Sequence, residues 1–161
     1  MPGADLEQRA LDFAYRYLNR GERTKYEVRR HLERRGLEQP EIASALATLE
    51  EHGFLDDARF VRLFAQDKRE LGQWGTDRIA RTLRARGVSS ELIEQLLVPE
   101  PREQELRRAC ELLARRFPTP PRTRRERDRA LGVMLRKGYD CELAVDALAA
   151  HAGGERRRQL Q

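Results

Sequence analysis

Apolar residues along this chain recur at intervals of three and four. Leu11, Phe13, Ala14, Tyr17 and Leu18 form one such set. Val28 with Leu32, then Ile42, Ala45, Leu46 and Leu49, then Phe60, Val61 and Phe64 form the next ones. That spacing places each set on one stripe of a helix, and the polar residues between them cover the opposite face. Leu, Ala, Glu and Arg dominate, and period-two runs of Val, Ile and Thr are absent, so the pattern predicts helices throughout and no strands.

The helical pattern repeats. Gly36, Gly87 and Gly138 stand 51 residues apart, each at the end of an apolar-periodic stretch. Four residues before the glycine come Leu32, Leu83 and Met134, and eight before it Val28, Ile79 and Ala130. One after it come Leu37, Val88 and Tyr139, and ten after it Leu46, Leu97 and Leu148. A glycine in the left-handed conformation ends one helix, the next apolar residue covers the turn, and a polar residue opens the following helix as a cap. Ser89, Ser90 and Asp140 suit the capping role, and the first copy has Glu38, Gln39 and Pro40 there. A further amphipathic segment precedes each pair, at about residues 5–20, 57–70 and 102–116. The expectation is an all-α chain of three tandem three-helix repeats in an elongated, curved array. Its divisions are residues 1–53, 54–100 and 101–150, followed by a basic C-terminal tail, 151–161.

Charge is uneven along the repeats. Residues 1–53 carry 9 basic and 10 acidic side chains, residues 54–100 carry 8 and 8, and residues 101–161 carry 15 and 9. Between Arg107 and Lys137, 11 basic residues face 3 acidic ones, several of them around the proline-rich segment FPTPPRTRRERD. Such a field attracts polyanions, although an arginine-rich surface that merely meets water has the same composition. A cation also precedes each repeat glycine (Arg35, Arg86, Lys137), where it complements the helix dipole. Six residues before the glycine, Arg30 and Arg81 coincide in register, and Arg78, Arg81 and Arg84 point away from the Ile79/Leu83 stripe.

Other chemistry is sparse. His31, His52 and His151 share no metal-ligand spacing, Cys110 and Cys141 fit neither a disulfide framework nor a zinc site, and no nucleotide loop or catalytic triad pattern occurs. The expectation is a protein that is not an enzyme and needs no cofactor or metal. Asp56 and Asp57 suit the cap of a helix starting near Ala58, and Trp74, between Gly72 and Gly75, suits an aromatic plug in a turn or a stacking surface. No apolar run reaches the roughly 18 residues of a spanning helix, and the opening MPGADLEQ lacks a signal-peptide pattern, so a soluble cytoplasmic protein is expected. The glycine turns suggest a helix-turn-helix DNA reader, but the helices after them, EIASALATLEE, SSELIEQLL and DCELAVDALAA, are acidic or neutral on their polar faces.

The order ALDFAYRYLNRGERTKYEVRRHLERRG, then LEEHGFLDDARFVRLFAQDKRELGQWGTDRIARTLRARGVSSELIEQLL, then LRKGYDCELAVDAL resembles the RecX regulatory proteins, modulators of the recombinase RecA. The resemblance covers about residues 9–149, most specifically Gly53-Phe54-Leu55-Asp56-Asp57 with Arg59-Phe60 and, beyond a turn, Ile79, Leu83 and Gly87. It implies a monomer, without membrane association, that binds RecA filaments on single-stranded DNA and inhibits ATP hydrolysis, filament growth and strand exchange. Arg30, Arg34, Arg78, Arg81 and Arg84 are the candidate partner-binding residues. Arg107, Arg108, Arg115, Arg116, Arg122, Arg124 and Arg125 are the candidate DNA contacts, direct or within the filament. The alternative is a helical-repeat nucleic-acid-binding protein that acts without RecA.

Overall fold

The computed structural model describes residues 2–161, and these form nine helices and no strand. In chain order they are α1 (Pro2–Leu18), α2 (Lys25–Arg34), α3 (Gln39–Glu51), α4 (Asp57–Glu70), α5 (Thr76–Ala85), α6 (Ser90–Leu96), α7 (Arg102–Arg116), α8 (Arg124–Arg136) and α9 (Cys141–Gln159). They fall into three successive triplets, as the 51-residue periodicity predicts. Among the described residues no helix is long and apolar enough to cross a membrane.

The turn after the middle helix of each triplet is built the same way. Gly36, Gly87 and Gly138 have φ of 82°, 85° and 98°, a region that side chains with a Cβ seldom enter. The amide of the next residue donates back to the carbonyl five positions earlier: Leu37 to Leu32 at 3.2 Å, Val88 to Leu83 at 3.0 Å, Tyr139 to Met134 at 3.2 Å. Each glycine amide donates to the carbonyl three before it, to Glu33, Arg84 and Leu135. This pair of bonds satisfies carbonyls that a helix end otherwise leaves without donors. The apolar residues that the turn brings together are all buried.

Ser89 and Asp140 cap α6 and α9, accepting from the amides of Leu92 and Leu143. Glu38 at the start of α3 makes no side-chain cap bond, and Pro40 holds the first turn instead.

Two compact units emerge from the packing: residues 1–63 with 83–96, and residues 64–82 with 97–161. The first has a core that includes Val28, Leu32, Ile42, Leu46 and Leu49, with Ala10 and Ala14 completely buried on α1. The larger residues of the α1 stripe, Leu11, Phe13, Tyr17 and Leu18, are only partly buried around it. The alanines take the centre because a small side chain lets two helices approach closely. The second unit has a core that includes Ala109, Leu113, Ala130, Met134, Leu143 and Ala147.

Candidate functional site

The most informative sites are the joints where one triplet meets the next. In the first unit, Thr24 caps α2 through the amide of Glu27, and Glu27 returns a bond to the Thr24 amide. The Thr24 hydroxyl, fully buried, also donates to the Arg86 carbonyl at 2.6 Å. The Arg86 guanidinium reaches back, donating to the two Glu27 carboxylate oxygens at 3.0 and 3.2 Å and to the Glu22 carbonyl at 3.4 Å. It also lies over the Phe60 ring. A Cβ on Gly87 would fall 2.2 Å from Tyr26 Cγ, so glycine there serves the joint as well as the turn.

Asp57, the first residue of α4, accepts from the Lys25 amide at 2.9 Å. It therefore completes the N-terminus of α2, while Asp56 alone caps α4 through the Arg59 amide at 3.0 Å. Burial raises the Asp57 carboxyl above its ordinary range, and the Lys25 amide partly opposes that shift.

Fifty-one residues later the second unit repeats this construction. Gly75, in the register of Thr24, donates its amide to the Lys137 carbonyl at 2.8 Å, and Lys137 is in the register of Arg86. Donor and acceptor are 62 residues apart in both joints. A Cβ on Gly75 would lie 2.3 Å from the Gly138 carbonyl oxygen, and one on Gly138 would lie 2.6 Å from the Arg78 backbone nitrogen. The Lys137 ammonium donates to the Gly72 carbonyl at 3.0 Å, and the buried Tyr139 hydroxyl donates to the Gln73 carbonyl at 2.7 Å. Glu105 of α7 accepts from Thr76 at the start of α5, and burial raises its carboxyl too.

The charges differ between the joints. The counterpart of Glu27 is Arg78. Its guanidinium carbon lies 3.8 Å from the centre of the Trp74 ring, and one nitrogen donates to the Arg136 carbonyl at 3.3 Å. Trp74 is half-buried, edge-on to Phe64, with the Lys68 ammonium 5.0 Å from its ring centre. Lys137 is held below the ordinary lysine value, first by burial and then by the neighbouring cations Arg78 and Arg116.

The other candidate residues are spread over the helices. Arg30 is exposed and pairs with Glu33 at 3.3 Å, and Arg34 donates to the Arg30 carbonyl. Arg81 and Arg84 are exposed and form no ion pair among the described residues. Arg35, the first of the three cations before a repeat glycine, lies over Phe13. His31 stacks on Tyr17 at 4.1 Å, and burial together with Arg35 and Arg34 lowers its proton affinity.

Among the candidate DNA contacts, Arg108 is half-buried and engaged by both Glu100 oxygens at 3.0 and 2.9 Å. Arg107, Arg115, Arg116, Arg122, Arg124 and Arg125 are exposed. Arg124 and Arg125 occupy an added turn: α8 has 13 residues, whereas α2 and α5 have 10. Among the described residues no group of His, Cys, Asp and Glu is arranged to hold a metal, and both cysteines are free.

Sequence reasoning missed the joints themselves. The available signal was the shared register of Thr24 with Gly75 and of Arg86 with Lys137, once the separation of 62 residues is considered beside the period of 51.

Comparison with known proteins finds the first two triplets. Residues 10–49 match the family model described as RecX, first three-helix domain, and residues 56–97 match RecX, second three-helix domain. Regulatory protein RecX of Chromohalobacter salexigens is 36% identical over 138 residues, spanning 86% of this chain and 90% of its own. Regulatory protein RecX of Halorhodospira halophila is 37% identical over 141 residues, spanning 86% of each. The crystal structure of RecX from Lactobacillus salivarius superposes with a TM-score of 0.76 at 18% identity, covering 92% of this chain and 97% of that one.

Proposed function

The chain belongs to the RecX family of regulatory proteins, and from that premise we propose that it binds RecA filaments on single-stranded DNA and inhibits their ATP hydrolysis, growth and strand exchange. The observation that supports this most is the repeated joint. The same backbone carbonyl accepts at the same separation of 62 residues in both units, so successive three-helix modules (1–53, 54–100 and 101–150) are linked by one rule. A filament is itself a repeat, and several modest contacts on adjacent subunits multiply through effective concentration. Arg30, Arg34, Arg81 and Arg84, all on the middle helices α2 and α5, are the side chains that we assign to the RecA surface. Arg78, expected with them and also on α5, is set apart because its guanidinium is held over Trp74 and on the Arg136 carbonyl. The exposed arginines of the last triplet contact DNA in this reading. The protein works as a cytoplasmic monomer, without a cofactor and without catalysis of its own.

The test is titration of the full chain into RecA, single-stranded DNA and ATP while following hydrolysis. A dose-dependent fall in rate is expected, and an unchanged rate across a large excess rejects the proposal. A second reading, a nucleic-acid binder that acts without RecA, is favoured by the 11 basic residues between Arg107 and Lys137. It gains if loss of hydrolysis merely follows DNA sequestration and disappears when DNA is in excess.

A further inference from the structure

At the first joint Glu27 neutralises Arg86. At the second, the residues in the same register are Arg78 and Lys137, so an acid–base pair has become two cations. Arg116 is close enough to push on Lys137 as well. Arg136, whose backbone carbonyl accepts from Arg78, is exposed, and helical spacing puts Arg125, Arg129 and Arg136 on one face of α8. None of Arg78, Arg116, Arg136 and Lys137 pairs with a carboxylate among the described residues.

Like charges gathered without a counter-charge raise the free energy of the fold, and an anion placed among them reverses the sign of every one of those interactions. Arg78 is also pre-positioned. Trp74 supports its guanidinium, one donor is used on the Arg136 carbonyl, and its remaining N–H groups can serve an oxyanion.

We propose that Arg78, Arg116, Arg136 and Lys137, with Trp74 beneath Arg78, form a binding site for consecutive phosphates of a single nucleic-acid strand. The length of the cation row favours a strand over one small anion: from Arg125 to Arg136 the helix advances about 16 Å, at about 1.5 Å per residue. The site rests on the DNA contact proposed above for the last triplet and does not depend on RecA, so its failure and the failure of filament inhibition are distinguishable.

Trp74 is the only tryptophan in the chain, so its emission reports on the site directly. The experiment titrates a single-stranded thymidine oligonucleotide into the full chain without RecA at two salt concentrations. It follows Trp74 emission, and the anisotropy of a labelled oligonucleotide, for the natural chain, for Arg78→Glu combined with Arg136→Ala, for Arg78→Lys and for Arg16→Ala. Arg78→Glu restores the acid–base arrangement of the first joint, and circular dichroism establishes that the variant is folded. The oligonucleotide is expected to shift Trp74 emission. The double variant should lose about tenfold or more in affinity and flatten the salt dependence by the equivalent of one to two phosphate contacts, roughly 0.7–1.4 in log–log slope. Arg78→Lys should keep the salt slope, because the charge stays, and lose severalfold in affinity, because the stacked donor fork is gone, whereas Arg16→Ala, exposed in the first triplet, should stay within about twofold. Unchanged affinity in the folded double variant, or an unresponsive Trp74 under saturating oligonucleotide, overturns the site. Inorganic phosphate or tripolyphosphate matching the oligonucleotide at equal phosphate concentration overturns the strand assignment and leaves a small-anion site.

Discussion

The two joints share a backbone and differ in nearly every side chain. In the first a threonine hydroxyl donates to the carbonyl of the residue before the repeat glycine, whereas in the second the backbone amide of Gly75 does so. The substitution has a steric reason, because the Gly138 carbonyl fills the space that a Cβ on Gly75 would need. In the first the cation before the glycine meets a carboxylate, and in the second it meets the Gly72 carbonyl oxygen and two other cations. The fold therefore requires a donor at one point, a glycine at another and a half-buried acid at the helix start. The charge of the residue in the Glu27/Arg78 register is left to function.

The sharpest way to break this comparison is at the glycines. Gly138→Ala must accommodate both the positive φ and a Cβ against the Arg78 backbone, and should cost about 2–5 kcal/mol by chemical denaturation. Gly36→Ala meets open space and should cost about 1–2 kcal/mol, from the backbone conformation alone. Equal losses would mean that close packing at the second joint contributes nothing.

Next in size is the donor. Thr24→Val removes a cap and leaves the Arg86 carbonyl without its buried hydroxyl, at about 2 kcal/mol. If the variant melts at the natural temperature, the first joint is held by other contacts.

Charge changes should be smaller and opposite in sign between the joints. Glu27→Gln is expected to destabilise by about 1 kcal/mol or less, since the pair is partly exposed, and the loss should shrink as salt rises. Arg78→Glu is expected to leave stability unchanged or raise it by a similar small amount. Destabilisation by both would remove the electrostatic contrast from which the strand site is inferred.

The smallest effect is common to both joints. Asp57 and Glu105 have raised carboxyl values in the folded chain, so the folded state binds more protons than the unfolded one in the window above the ordinary carboxylate range. Their contribution to stability therefore increases as pH falls from neutral into that window, opposite to the usual behaviour of a paired carboxylate. In Asp57→Asn and Glu105→Gln, lowering the pH from about 7 to about 5 should raise stability less, or lower it more, than in the natural chain, in which His31, its proton affinity lowered by burial, pulls the other way. A slope unchanged in both variants would show that neither carboxyl is shifted.

Much of this was legible before any coordinates. The glycine period fixed the three turns, and the apolar positions around each glycine proved buried, except that Leu148 is only partly so. Other features were not legible because they depend on distances between segments far apart in the chain. Arg86 and Lys137 read as helix-dipole partners, since a cation in a last turn is common; their reach to Glu27 and Gly72 depends on the next triplet docking where it does. Asp57 read as a second cap for α4, and only packing turns it towards Lys25. Trp74 as a plug in a turn agrees with its edge contact to Phe64, but the guanidinium above it follows from where α5 and α8 meet. Of the candidate DNA contacts, Arg108 shows the limit of reading charge by region, because its partner Glu100 is eight residues away across a proline.

The trans-capping of α2 also sets a timetable. A ribosome delivers the chain from its N-terminus, and early modules generally fold first. Here the Lys25 amide waits for Asp57, and the Thr24 hydroxyl and the Glu27 carboxylate wait for Arg86. The first module can collapse around Leu32 and Ile42 as soon as its own helices have emerged, yet its second helix is finished only by residues of the following module. The first two triplets are thus each completed by their successor, in the direction in which the chain is made.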